Sequence, residues 1–142
     1  MKIKQLVLQN FMIFDSIDVE WSSGINVIIG ENSTGKTTLL KALYSLVKPY
    51  GRKDFSKSTQ PQQEEMIVRK MVGVFRPDGG KIGRLASRRQ GSSKNLTAQV
   101  SMLEGDCISV SFGSRSSNHA DISIHSSGKV KPIDPVYLPP KE

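Results

Sequence analysis

Residues 30–37 constrain the fold more than any other part of the sequence, because they follow the pattern G-x-x-x-x-G-K-T. An apolar run at residues 25–29 leads into this loop, and a run with leucines at helical spacing, residues 36–47, leads out of it. The two glycines let the backbone turn tightly, so that successive N–H groups converge on one point. A buried strand, a tight loop and an amphipathic helix in this order predict a P-loop within an α/β fold.

The chemistry predicted for this loop is the binding of a polyphosphate. The start of the helix adds N–H groups and the positive end of the helix dipole. Lys36 is expected to reach the β- and γ-phosphates, and the Thr37 hydroxyl to ligate magnesium. We therefore expect ATP with Mg²⁺ as the cofactor, although no base-reading motif separates ATP from GTP. The motif assigns the following residues to the nucleotide: Gly30, Asn32, Ser33, Thr34, Gly35, Lys36, Thr37 and Thr38.

The residues that would hydrolyse the nucleotide are not identified by the sequence. Hydrolysis needs a second acidic group near magnesium and a group that positions water. In P-loop proteins these groups follow a later apolar strand, but residues 107–112 are followed by Gly113 and residues 122–124 by His125. The catalytic residues are therefore unknown, and we expect this chain alone to hydrolyse ATP poorly or not at all.

Hydropathy patterns predict the remaining elements. Residues 25–29 are expected to form a strand buried on both faces, because they are apolar almost without interruption. Residues 64–74 fit a helix, with a strand at the end of this segment as the alternative. Pro49 and Gly51 are expected to end the first helix. Period-two alternation predicts strands at residues 1–9, 17–21, 98–103, 107–112 and 121–125, of which the last three form an antiparallel meander, and a further strand at 136–138.

These elements predict a P-loop NTPase core fragment of the α/β class, with a mixed sheet around the Walker A helix and an antiparallel β-rich subdomain. The expected division is a P-loop core at residues 1–50, a loop and helix at 51–80, and a β-rich segment at 81–142. The chain ends at Glu142, just past the start of a strand. This abrupt end indicates the N-terminal lobe of a larger ATPase.

Composition limits the partners that this chain could have. The net charge is +7, from 20 Lys and Arg against 13 Asp and Glu, which favours polyanions unless acidic surface lies in a missing C-terminal part. Arg84, Arg88 and Arg89 fit either a solvated loop or a polyanion contact. The single cysteine, Cys107, cannot form an internal disulfide and is expected to be a small buried side chain. With no run of about 20 apolar residues, we expect a cytoplasmic protein without a membrane span.

The first third of the chain resembles the start of the RecF/SMC/OLD-like branch of ABC-type (AAA-type) ATPases. The resemblance rests on Leu6-Val7-Leu8 with Asn10-Phe11 and Phe14, on residues 25–32, and on residues 35–40. It implies that Asn10 and Phe11 line the nucleotide site, with core packing as the alternative for Phe11 and Phe14. It also implies a homodimer formed through ATP in the full-length protein, which switches with hydrolysis, and a role in DNA repair, DNA maintenance or defence with nucleic acid as a candidate partner.

The resemblance also bears on the end of the chain. Residues 136–138 resemble the strand that leads back to the nucleotide and into the Q-loop, although the usual glutamine is absent. Glu142 is the residue that could stand in for it near magnesium. Two other functions stay open: a stand-alone nucleotide-binding regulatory module that does not hydrolyse, and a small-molecule kinase, which also uses a P-loop but usually brings lid arginines that are not evident here.

Overall fold

The computed structural model describes residues 2–31, 34–87, 95–126 and 134–138. Its strands form one five-stranded sheet in the order β2-β1-β3-β4-β5, and every neighbouring pair is antiparallel. The predicted antiparallel meander of the last three strands is confirmed. The hairpin of the first two strands extends it, because β1 pairs with β3. The strands are β1 (Ile3–Phe11), β2 (Phe14–Glu20), β3 (Leu96–Met102), β4 (Cys107–Phe112) and β5 (Asp121–His125).

Two α-helices cover one face of the sheet, α1 (Lys36–Tyr50) and α2 (Gln60–Phe75). The prediction that Pro49 stops α1 is wrong, because Pro49 lies inside the last turn and Gly51 follows as the cap. The predicted helix at 64–74 is confirmed, and its strand alternative is wrong. Thr59 starts α2 four residues earlier than expected through a capping box with Gln62. Within the described ranges, no helix is long and apolar enough to span a membrane.

The core lies between the helices and the inward face of the sheet. Leu6 and Leu8 of β1 are fully buried, as are Ala98 and Val100 of β3, and the ring of Phe11 packs 5.3 Å from that of Phe75. Alternate residues of β3 are buried along its whole length, which is the period-two pattern of a strand with one face on a core. The helices contribute Leu39, Ala42, Leu46, Ile67, Val68 and Met71 to the same cluster.

The other face of the sheet carries polar side chains. The strand register aligns them in rows across the five strands. Cys107 lies in one of these rows and is half-buried, so the prediction of a small buried side chain is wrong. We call this surface the open sheet face. Its rows, none of which holds Lys or Arg, are Glu20-Gln5-Ser101-Cys107-His125, Asp18-Val7-Gln99-Ser109-Ser123 and Ser16-Gln9-Thr97-Ser111-Asp121.

Residues 25–29 do not form the predicted buried strand. The side chains of Ile25, Val27 and Ile29 are 93%, 75% and 90% exposed, and Ile28 alone packs partly against the core. A strand needs backbone partners on a neighbouring strand, and in the described parts of the chain no strand pairs with this segment. Residues 25–29 therefore have the apolar composition of a buried strand but lack a partner strand among the described residues.

Residues 134–138 also lack the predicted strand pairing. They lie along α1 instead, where the carboxylate of Asp134 pairs with the ammonium of Lys48 and the ring of Tyr137 lies 5.8 Å from that of Tyr44. Val136 and Leu138 are 76% and 82% exposed. This segment is therefore attached by side-chain contacts and leaves its apolar side chains uncovered.

Candidate nucleotide-binding site

The turn between β1 and β2 supports one side of the P-loop. Asn10 and Met12 have φ values of 52° and 50°, the left-handed conformation that closes this short hairpin. The Met12 N–H donates to the Leu85 carbonyl over 2.8 Å, and the Asn10 carbonyl accepts from the Ser87 N–H over 2.7 Å. These two bonds fix the hairpin against residues 85–87.

Gly35 is the point where this hairpin contacts the P-loop. Its φ is +91°, and a Cβ built on it would lie 2.5 Å from Cζ of Phe14 and 2.9 Å from Cγ2 of Ile13. Both the backbone conformation and the space exclude a side chain, so glycine is required for this close approach. The sequence does not reveal Ile13 and Phe14 as neighbours of the loop, because the contact joins residues more than twenty positions apart.

Lys36 folds back over the loop. Its ammonium donates to the carbonyls of Gly30 and Glu31, the second over 3.1 Å. The Thr34 hydroxyl donates to the same Glu31 carbonyl over 2.8 Å, and a Cβ on Gly30 would lie 2.8 Å from that hydroxyl oxygen. The loop is therefore too tight for a side chain at residue 30, as the motif requires.

The start of α1 presents backbone donors at the same place. Gly35 is the N-cap residue, and the first bond within the helix runs from the Leu39 N–H to the Gly35 carbonyl over 3.0 Å. The N–H groups of Lys36, Thr37 and Thr38 precede that bond and have no acceptor inside the helix. No side chain caps them and no acidic residue lies in the first turn, so the positive end of the helix dipole is not neutralised locally.

A cavity of about 340 Å³ adjoins Lys36 and Thr37. Thr37 is exposed, which leaves its hydroxyl accessible. Asn26 is held at the rim by its own side chain, which accepts from the Ser22 N–H over 2.8 Å and donates to the Ser22 carbonyl over 3.1 Å. The cavity combines polar groups with apolar walls, and its lining consists of Asn26, Ile28, Lys36, Thr37, Leu40, Tyr137 and Leu138.

Asn10 and Phe11 have other contacts. Phe11 is fully buried in the core, which is the alternative that the sequence left open for it. The Asn10 side-chain amide donates to the Asn95 carbonyl over 3.1 Å. Five other residues that the sequence singled out, Asn32, Ser33, Arg88, Arg89 and Glu142, lie outside the described residues.

Comparison with known proteins places this geometry in a family. The model of the AAA ATPase domain matches residues 1–83, more than half of the chain. The chain belongs to this AAA ATPase family. It is 33% identical over 122 residues to the DNA replication and repair protein RecF of Oceanobacillus iheyensis, covering 80% of this chain and 30% of the relative. It is 50% identical over 46 residues to the RecF protein of Streptococcus uberis, covering 32% and 13%.

A solved structure shows the same fold. It comes from work on ATP-driven dimerization and DNA-stimulated activation of SMC ATPases, and it aligns with a TM-score of 0.54 at 13% identity over 87% of this chain and 69% of the solved one. The predicted RecF/SMC-like relationship and the α/β class of the AAA ATPase domain are thereby confirmed. The chain spans no more than 30% of the length of the two RecF relatives described above.

Proposed function

We propose that this chain is the ATP-binding N-terminal lobe of an ABC-type ATPase, and that the nucleotide binds at the P-loop with magnesium. The observation that carries the proposal is the start of α1: three N–H groups without helical acceptors, no acidic side chain in the first turn, and Lys36 folded over the loop beside them. A concave group of donors with an adjacent cation fits a polyphosphate better than any neutral ligand.

The residues of the site would make the following contacts to phosphate and magnesium. The N–H groups of Lys36, Thr37 and Thr38 donate to phosphate oxygens, and the Lys36 ammonium exchanges the Gly30 and Glu31 carbonyls for phosphate. Among the described residues, no group of three His, Cys, Asp or Glu side chains could hold a metal ion. Magnesium would therefore bind through the Thr37 hydroxyl together with phosphate oxygens, and it would neutralise part of the phosphate charge.

For the full-length protein we propose a homodimer that assembles through ATP and acts on DNA in repair, maintenance or defence, in the cytoplasm. Support comes from the RecF relatives, which are named for DNA replication and repair, and from the fold shared with an SMC ATPase. Hydrolysis would then depend on residues outside the described part of this chain.

Isothermal titration with Mg·ATP tests the binding site. Lys36→Ala is expected to weaken binding by about tenfold or more, because it removes a charge-assisted contact to phosphate. Lys41→Ala removes the same charge from the same helix, away from the loop, and should bind as the unsubstituted chain does. Circular dichroism should show both variants folded. Equal affinities for the unsubstituted chain and Lys36→Ala would contradict the proposed site.

A further inference from the structure

A large concave surface lies away from the P-loop, between α1 and α2. This α1–α2 groove has a volume of about 880 Å³, and its lining includes Asp54 and Ser58, which flank the short helical turn Phe55–Lys57. Pro49, Met66 and Val74 form an apolar floor. Four basic side chains line the groove, Lys48, Arg52, Arg69 and Lys70, against two acidic ones, Asp54 and Glu65.

The basic side chains stand on both walls of the groove. Lys48 and Arg52 come from the end of α1 and the turn that follows it, whereas Arg69 and Lys70 come from the middle of α2. A cation on each wall can contact phosphates on both sides of a polyanionic backbone that lies in the groove. Gly73 helps to keep α2 accessible there, since a Cβ at this position would meet no atom within 4 Å.

Ion pairs hold three of the four cations in position, and one of these is the pair of Lys48 with Asp134 described above. Arg52 donates to both carboxylate oxygens of Asp54 over 3.0 and 2.9 Å, and Arg69 pairs with Glu65 over 2.7 Å. The partners of these pairs are more than half exposed. Exposed pairs of this kind contribute little to stability, so a phosphate oxygen can replace the carboxylate at little cost.

Lys70 has a different contact. Its ammonium lies 4.9 Å from the centre of the Tyr44 ring, which also faces Tyr137. The ring attracts the cation but leaves its hydrogen-bond donors able to contact an anion.

The α1–α2 groove differs in charge from the open sheet face. The open sheet face has no Lys or Arg in its three rows, and it carries Asp18, Glu20 and Asp121 at its edges. A polyanion is therefore attracted more strongly to the α1–α2 groove than to the open sheet face. Charge complementarity thus favours one class of occupant for the α1–α2 groove, a nucleic-acid backbone.

We propose that the α1–α2 groove binds the phosphate backbone of a nucleic acid. This site deepens the DNA-related part of the proposed function, but it does not need a nucleotide at the P-loop. Contacts to phosphates carry no base information, so the groove should bind without sequence preference and with strong dependence on salt.

The test uses fluorescence anisotropy with labelled duplex and single-stranded DNA of one sequence and the 142-residue chain. The double variant Arg69→Gln/Lys70→Gln should weaken binding of the preferred form by about tenfold or more at moderate salt. It should also make the plot of log K against log[salt] less steep, by about 1.8 for duplex DNA or about 1.4 for single-stranded DNA, since two phosphate contacts are lost. The matched control Lys81→Gln/Arg115→Gln removes two exposed positive charges outside the groove and should change the affinity less than about twofold.

Two further variants distinguish a loss of DNA binding from unfolding, and the groove proposal from the ATP-site proposal. Lys48→Gln tests the opposite wall in case the double variant unfolds, and it should weaken DNA binding in the same direction. Lys36→Ala should keep its DNA affinity even where it loses ATP, so the two proposals fail independently. Equal losses in the groove and control variants would overturn the groove proposal. So would the absence of DNA binding at low salt, which would leave an acidic protein segment as the occupant.

Discussion

Two segments with strand propensity have opposite environments in this molecule. β3 lies between β1 and β4, and its residues Leu96 and Val100 are completely buried. In the segment at residues 25–29, Ile25 and Ile29 are at least 90% exposed, and no strand pairs with it within the described ranges. The difference shows that apolar side chains indicate only that a segment can be buried. Whether it forms a strand depends on a neighbouring segment with free backbone N–H and C=O groups.

A pair of identical substitutions tests this contrast most strongly. Val100→Ala should lower the free energy of unfolding by about 2–4 kcal/mol, because it leaves a cavity in the core. Val27→Ala removes the same atoms from a side chain that is 75% exposed, and it should change stability by less than about 0.5 kcal/mol. Urea denaturation measures both values. Similar losses would mean that residues 25–29 are buried in solution.

A second pair of substitutions tests the contact between the β1–β2 hairpin and Gly35 of the P-loop. Gly35→Ala should cost about 2 kcal/mol or more, since it adds a clash with Phe14 to the strain of a positive φ. Gly79→Ala has the strain alone, because its φ is +64° and a Cβ there meets no atom within 4 Å, so a loss of about 1 kcal/mol is expected. Thermal unfolding compares the two. If the losses were equal, the contact between the hairpin and the loop would carry no stability.

The other end of α1 is anchored to the sheet and gives a smaller, pH-dependent effect. Tyr50 donates to the buried Asp106 carboxylate in the turn between β3 and β4. Burial, and next the bond to Asp106, raise the pKa of Tyr50 from 10.0 to about 12. The folded state therefore favours the protonated phenol, and this contribution is complete below pH 10 and is lost as the pH rises through about 12.

Tyr50→Phe should remove this part of the pH dependence, which urea titrations between neutral pH and pH 12 can measure. Tyr44→Phe, on the same helix, is the matched control and should retain the loss of stability at high pH. An unchanged profile in Tyr50→Phe would show that another group titrates there.

Features that depend on interactions between residues close together in the chain were predictable from the sequence, and features that depend on distant residues were not. The limits of β4 and β5 were predicted correctly, because short alternating runs and local turns such as Gly105-Asp106 determine them. The start of α2 was missed because residues 60–63 are polar, and the capping box of Thr59 rather than hydropathy begins the helix.

In the candidate site, too, only the part formed by the local motif could be predicted from the sequence. The order of apolar run, glycine-rich loop and predicted helix assigned Gly35, Lys36 and Thr37 to the nucleotide, since the motif is local, and this assignment stays a prediction. The packing of Ile13 and Phe14 on Gly35 depends on how a distant hairpin folds back, and no spacing rule in one sequence encodes it. Unpaired residues 25–29 were unpredictable for the same reason, because the pattern contains no information on which segment lies beside them.

The most direct test of nucleotide binding at the P-loop is an amide NMR titration of the ¹⁵N-labelled chain with Mg²⁺ and a non-hydrolysable ATP analogue. The account predicts that the largest shifts occur at Gly35, Lys36 and Thr37 and disappear in Lys36→Ala. Shifts that concentrate on Arg69, Lys70 and the rest of the α1–α2 groove, with those three amides unmoved, would contradict it.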